Sequence, residues 1–168
     1  MLVGSNKIVS GANSFQESST VFGIDRATRN SRLYALYRYW KAVHDRLGAT
    51  PEAQIDPIDV AAFGLVGNVH QIDLRPSDPT EFRFDLYGIG VPMGGDFTGE
   101  RVVSVPTGAI SRSIAEEYRE IGAAGIAHFS RCERVYNGSR LTYERLCLPL
   151  GEPDRPASGL FVACAWND

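Results

Sequence analysis

Apolar side chains recur at helical spacing between residues 29 and 47. They fall three, four and seven positions apart, which is the spacing of one helix face. They are Leu33, Leu36, Tyr37, Trp40, Val43, His44 and Leu47. Gly48 and then Pro51 follow, and both are typical of a helix end. The pattern predicts an amphipathic helix that covers a sheet. Tyr34 and Tyr39 lie off the apolar face, so the helix carries more aromatic surface than one packed face needs.

The chain after this helix alternates between strands and two further helices. Asp56 before Pro57 has the chemistry of an N-cap followed by proline at the first helical position, which predicts a short helix. Strands are predicted at 69–74, 82–87, 126–136, 140–150 and 159–167. A glycine-rich stretch of turns and a second long helix, between Pro106 and Gly125, separate the first two strands from the last three. The charged residues expected on the solvent face of that helix are Glu116, Glu117, Arg119 and Glu120.

Residues 1–25 differ in composition from the rest of the chain. They are rich in Ser, Gly and Asn, and they lack a sustained hydrophobic period. We therefore expect a flexible N-terminal arm, with a short extended piece at Thr20–Phe22. A length of 168 residues fits one domain, which the pattern assigns to residues 26–168.

The dipeptide Asn137-Gly138 is the strongest short hairpin signal in the sequence. A two-residue turn there fixes the register of the two strands that it joins, because Tyr136 then faces Ser139. The register places Arg131 opposite Glu144 and Phe129 opposite Leu146 on one face, and Ser130 opposite Arg145 and His128 opposite Cys147 on the other. Cross-strand neighbours are close enough to touch, so we expect Arg131 and Glu144 to interact. The candidate lining residues of a ligand cavity are Arg131, Glu144, Phe84 and Tyr118.

Charge and cysteine content exclude several functions. The net charge is −3, and Lys and Arg are scattered, which argues against a nucleic-acid partner. No apolar run is long enough to span a membrane, and the N-terminal residues do not form a secretory signal, so we expect a cytoplasmic protein. Three scattered cysteines predict reduced thiols without a metal site. His128 and Cys147 form the only pair that resembles a nucleophilic couple, and no G-x-S-x-G, H-E-x-x-H or P-loop motif occurs, so an enzyme is not predicted.

The order of elements, two strands, a helical connection and three strands, is that of a PAS domain. Over about residues 30–166 the chain also resembles the single-domain branch of bacterial PAS-like proteins. The stretches that carry the resemblance are Leu36-Tyr37-Arg38-Tyr39-Trp40, Ile55-Asp56-Pro57, residues 82–88, Gly95-Asp96-Phe97-Thr98-Gly99 and residues 143–150. The most specific are Asp96-x-Thr98-Gly99 and the Glu144-Arg145-Leu146-x-Leu148-Pro149-Leu150 segment.

The resemblance implies an α+β fold, with a five-stranded antiparallel sheet, helices on one face, a leading amphipathic helix and an internal cavity. It implies a sensory or regulatory module that binds a small ligand or a protein partner, without an output domain of its own. The cysteine motif of flavin-binding PAS domains and the axial histidine of haem-binding ones are absent, so no cofactor is identified. We expect a homodimer through the helix of residues 29–47. The alternatives are a small enzyme that uses His128 and Cys147 or Glu144, and a purely structural dimerisation subunit.

Overall fold

The computed structural model describes residues 7–9, 15–20, 30–88, 90, 95–105, 109–136 and 139–166. Within these ranges the chain forms three α-helices and one antiparallel sheet, which is the α+β class that the sequence predicts. The helices are α1 (Ser31–Leu47), α2 (Pro57–Ala61) and α3 (Ala109–Ala124). The strands are β1 (Lys7–Val9), β2 (Phe15–Thr20), β3 (Val69–Asp73), β4 (Arg83–Leu86), β5 (His128–Tyr136), β6 (Ser139–Leu150) and β7 (Gly159–Trp166).

The strands lie in the order β1-β2-β5-β6-β7-β3-β4, and every neighbouring pair is antiparallel. The five predicted strands are β3 to β7. Two strands within the predicted arm extend the sheet, since β2 pairs with β5 and β1 pairs with β2. Without them β5 would be an edge strand, whose unpaired backbone groups are a template for strand addition. The other residues of the arm, including most of Thr20–Phe22, lie outside the described residues.

The capping chemistry of α1 explains why the helix begins and ends where it does. The side chain of Asn30 accepts hydrogen bonds from the backbone N–H groups of Arg32 and Leu33, which satisfies two donors of the first turn. Gly48 adopts a left-handed conformation with φ of 77°, and its N–H donates to the carbonyl of His44. Leu33, Leu36, Trp40 and Val43 are buried as predicted, whereas Leu47 in the last turn is 40% exposed.

Helices cover both faces of the sheet, which corrects the expectation of helices on one face. Along β6 and β7 successive side chains alternate between the two faces, as in any strand. One set packs in the cluster with α1 and consists of Leu146, Leu148, Phe161 and Ala163. The other set packs in the cluster with α3 and consists of Cys147, Leu160, Val162 and Cys164. The leading helix is therefore on one face and α3 on the opposite face, and β6 and β7 contribute side chains to both interfaces.

The predicted hairpin register is confirmed. Tyr136 pairs with Ser139, and the ladder continues from there through Arg131 opposite Glu144 to His128 opposite Cys147. The pairing leaves two residues for the turn, Asn137 and Gly138, which lie outside the described residues. Nε of Arg131 lies 3.5 Å from Oε1 of Glu144, so the expected interaction is present.

The segment of residues 95–101 closes the edge of the sheet beside β4. The N–H of Phe84 donates to the carbonyl of Glu100, and the N–H of Gly99 donates to the carbonyl of Phe84. The hydroxyl of Thr98 accepts from the N–H of Tyr87, while the Thr98 N–H donates to Asp96. These bonds give the Asp96-x-Thr98-Gly99 motif a structural role, because they satisfy the backbone of an edge strand.

Candidate functional site

A buried guanidinium group lies between the sheet and α3. It belongs to Arg145 of β6, whose neighbours in the ladder are Ser130 of β5 and Cys164 of β7. Nη2 of Arg145 donates to Oε1 of Glu117 on α3 at 2.9 Å and to Oγ of Ser130 at 3.3 Å. The guanidinium carbon is 5.7 Å from the centre of the Tyr118 ring. Only 3% of the Arg145 side chain is exposed.

The position of Glu117 corrects the sequence prediction. Glu117 is expected on the solvent face of α3, but its side chain is 14% exposed and turns inward to Arg145. The physical reason is the buried cation, since a charge out of water is tolerated only when it is paired and hydrogen-bonded. The neighbouring pair of Glu116 and Arg119 also has a 2.9 Å contact, yet both of these side chains are about half exposed.

Burial lowers the pKa of two histidines, His128 beside this ion pair and His70 on β3. Nδ1 of His128 lies 3.8 Å from Oε1 of Glu117. Burial lowers the pKa of His128 and the charge of Arg145 lowers it further, while Glu117 acts in the opposite direction. Burial, and then the charge of Arg145, lower the pKa of His70 from 6.5 to about 4. Nδ1 of His70 accepts the N–H of Gly88 at 3.0 Å, a bond that requires an unprotonated nitrogen.

We expect the free energy of unfolding to fall by about 3 kcal/mol between pH 7 and pH 4 because of His70. The pKa of His70 is about 4 in the folded chain, whereas the ordinary value of 6.5 applies in the unfolded chain. The unfolded state therefore binds more protons across this window, so stability is lost as the pH falls. Urea denaturation at several pH values measures the effect. His70→Asn keeps an acceptor for the Gly88 N–H and should show a shallower pH dependence; an unchanged slope would contradict the assignment.

The four candidate cavity residues do not share one face of the sheet. Glu144 is 1% exposed and lies on the α1 side, where Oε2 accepts the N–H of Asn30 at 3.2 Å. Arg131 is beside it, with its side chain 48% exposed. Phe84 and Tyr118 are both buried in the cluster on the α3 side. Tyr118 alone among the four belongs to the surroundings of Arg145, and burial raises its pKa well above the ordinary value.

Sequence reasoning missed Arg145 as a site residue, although the derived register already placed it opposite Ser130. A usable signal was present. Arg145 is a charged residue directly before Leu146-Cys147-Leu148, and its predicted face is shared with His128 and Cys147. A cation on the apolar face of a strand with buried neighbours needs a partner from the layer above. Glu117 on α3, the helix that covers this face of the sheet, is that partner.

Comparison with known proteins assigns no family or function to this chain. No protein-family model, no curated protein and no solved structure matches this chain. Among the described residues, no three or more His, Cys, Asp or Glu side chains are grouped to hold a metal ion. No helix in this part of the chain has the length and apolar character needed to cross a membrane.

Proposed function

We propose that this protein is a sensory or regulatory module of PAS-like type, which binds a small molecule beside Arg145 and passes the signal through β6 to α1. The observation that supports this most directly is the ion pair between the buried Arg145 and the partly buried Glu117, where the sheet meets α3. A buried ion pair adds little to stability compared with apolar residues of the same size. Polar groups that converge in an apolar interior are typical of ligand sites.

The route of the signal rests on two adjacent residues of β6. Arg145 binds Glu117 of α3 on one face, and Glu144 binds the N–H of Asn30, the N-cap of α1, on the other. A strand that carries both side chains cannot move on one face without moving on the other, because successive side chains share the same backbone. A ligand that binds Arg145 and shifts this part of β6 would therefore act on the first turn of α1.

The element order supports the PAS part of the proposal. Two strands (β3 and β4), a helix-containing connection with α3, and three strands (β5 to β7) follow one another in the chain. The enzyme alternative has less support. Cys147 is opposite His128 as predicted, but it is 0% exposed within the core, and reactive thiols are partly exposed.

Homodimerisation through α1 is a separate proposal. The aromatic side chains that motivate it are half buried within the chain itself. Tyr39 donates its hydroxyl to the carbonyl of Gln54 and its ring lies 6.0 Å from that of Phe63, while Tyr37 stacks on Trp40. Light scattering tests the dimer, because a mass near 18.4 kDa would contradict it.

Native mass spectrometry of freshly purified protein, with an absorption spectrum, tests the sensory function. The wild-type chain should carry a small molecule in addition to its own 18.4 kDa. Arg145→Lys keeps the charge but loses the planar fork of donors, so it should lose the added mass. Arg119→Lys, on the exposed side of α3, is the matched control and should keep it. A wild-type protein without any added mass, with an unchanged thermal transition in the presence of candidate metabolites, would contradict the proposal.

A further inference from the structure

We propose that the ligand is a small carboxylate, which binds Arg145 in the place that the carboxylate of Glu117 occupies. Glu117 would then be a competitor built into the chain, and binding would release it from the sheet. The inference rests on the proposed function and specifies the ligand class for the same site.

The chemistry of Arg145 selects a carboxylate. A guanidinium group presents its donors in one plane, and this fork matches the two oxygens of a carboxylate side by side. Nη2 already binds one carboxylate oxygen, Oε1 of Glu117, at 2.9 Å. Burial, and then the charge of Arg145 itself, lower the pKa of His128 and of His70, which disfavours a second positive charge on either imidazole. The single positive charge of the guanidinium fits a monoanionic group.

The buried charge of Arg145 is paired both before the exchange, with Glu117, and after it, with the ligand. A ligand carboxylate would take over the contact from Glu117, so the desolvation cost of the guanidinium would not be incurred a second time. Glu117 has an alternative environment, because Glu116, Arg119 and Glu120 on the same helix are at or near solvent. Its carboxylate would regain water there, which offsets the loss of Arg145.

The exposure of the three side chains indicates the side from which a ligand approaches. Arg145 is 3% exposed, whereas Glu117 and His128 are 14% and 12% exposed. Glu117, which binds the guanidinium, thus also reaches solvent, and so does His128 beside it. Rotation of the Glu117 carboxylate away from Arg145 would open the guanidinium from that side. Ser130, whose hydroxyl is 3.3 Å from Nη2, lines the inner side of the same contact.

The test is a titration with sodium acetate against sodium chloride at equal ionic strength, followed by thermal unfolding. Acetate should raise the unfolding temperature of the wild type more than chloride does. In Glu117→Gln, which removes the competing charge at nearly constant volume, acetate should bind about ten to a hundred times more tightly, the equivalent of one charged hydrogen bond. Arg145→Lys should abolish the specific effect. Glu116→Gln, from the exposed pair on the same helix, should behave as the wild type.

The alternative outcomes separate this inference from the proposed function. An acetate effect that appears in Glu117→Ala, but in neither the wild type nor Glu117→Gln, would mean that acetate only replaces the missing side chain. The ion pair would then have a structural role, and the inference would be overturned. A co-purified ligand that persists in Arg145→Lys would overturn it together with the binding site beside Arg145, and only a sensory function at another site would stand. The absence of both a co-purified ligand and an acetate effect in the wild type would contradict the two proposals together.

Discussion

Arg145→Met is expected to lower the free energy of unfolding by about 3–5 kcal/mol. The substitution removes a cation that is 3% exposed and leaves the partly buried carboxylate of Glu117 without its 2.9 Å hydrogen bond. An uncompensated charge in the interior is the source of the loss, since methionine restores most of the volume. Chemical denaturation of the wild type and the variant measures the difference.

Two controls isolate the burial of the charge. Arg119→Met breaks an ion pair of the same 2.9 Å length on the surface of α3, and we expect it to cost less than about 1 kcal/mol. The double variant Arg145→Met/Glu117→Leu should recover much of the lost stability, because it removes both charges of the pair. Equal losses for Arg145→Met and Arg119→Met would show that the first pair is not buried as described.

Trp40→Ala is expected to lower the free energy of unfolding by about 3–5 kcal/mol. Trp40 is 4% exposed in the interface between α1 and the sheet, and its ring lies 4.7 Å from that of His44. Its Nε1 donates to the carbonyl of Pro149 on β6 at 2.9 Å. The truncation leaves a large cavity and removes this buried bond. Thermal and chemical unfolding measure the loss.

Trp40→Phe separates the two contributions of the tryptophan. It keeps an aromatic ring but cannot donate to Pro149, so we expect a loss of about 1–3 kcal/mol from the unsatisfied carbonyl and smaller ring. Tyr39→Phe, which removes the exposed bond to Gln54, is the control and should change stability by less than about 1 kcal/mol. A Trp40→Ala loss as small as that of the control would contradict the packing of α1 on β6.

Much of the fold could be predicted because local chemistry determines it. Asn137-Gly138 limits the hairpin to a two-residue turn, and this constraint alone leads to every pair of the β5–β6 ladder. Asp56 and Gly48 likewise mark helix ends through hydrogen bonds within a few residues of themselves. The pairing of β2 with β5 was not predictable in this way. Most residues of β2 are polar, and its partner β5 is more than 100 residues away in the chain.

The candidate site could be predicted only in part, for a related reason. A strand pattern gives the face of each residue but not the layer that covers it. Arg131 and Glu144 were correctly paired across the hairpin, yet the structure shows α1 over Glu144 and α3 over Arg145. The inward turn of Glu117 depends on the buried cation beneath it, so the helix pattern alone assigned this residue to solvent.

The most direct test of ligand binding at Arg145, and of its transmission to α1, is an NMR titration of the ¹⁵N-labelled protein with sodium acetate, with sodium chloride as the reference. We expect specific shifts for the amides of Ser130, Arg145 and Glu117, and also for the Asn30 amide, whose N–H is bonded to Glu144 on the opposite face of the sheet. If the shifts near Arg145 and the shift of the Asn30 amide saturate at the same acetate concentration, the experiment shows both binding and its transmission across the sheet. Shifts confined to exposed residues of α3 such as Arg119, or no acetate-specific shift at all, would contradict it.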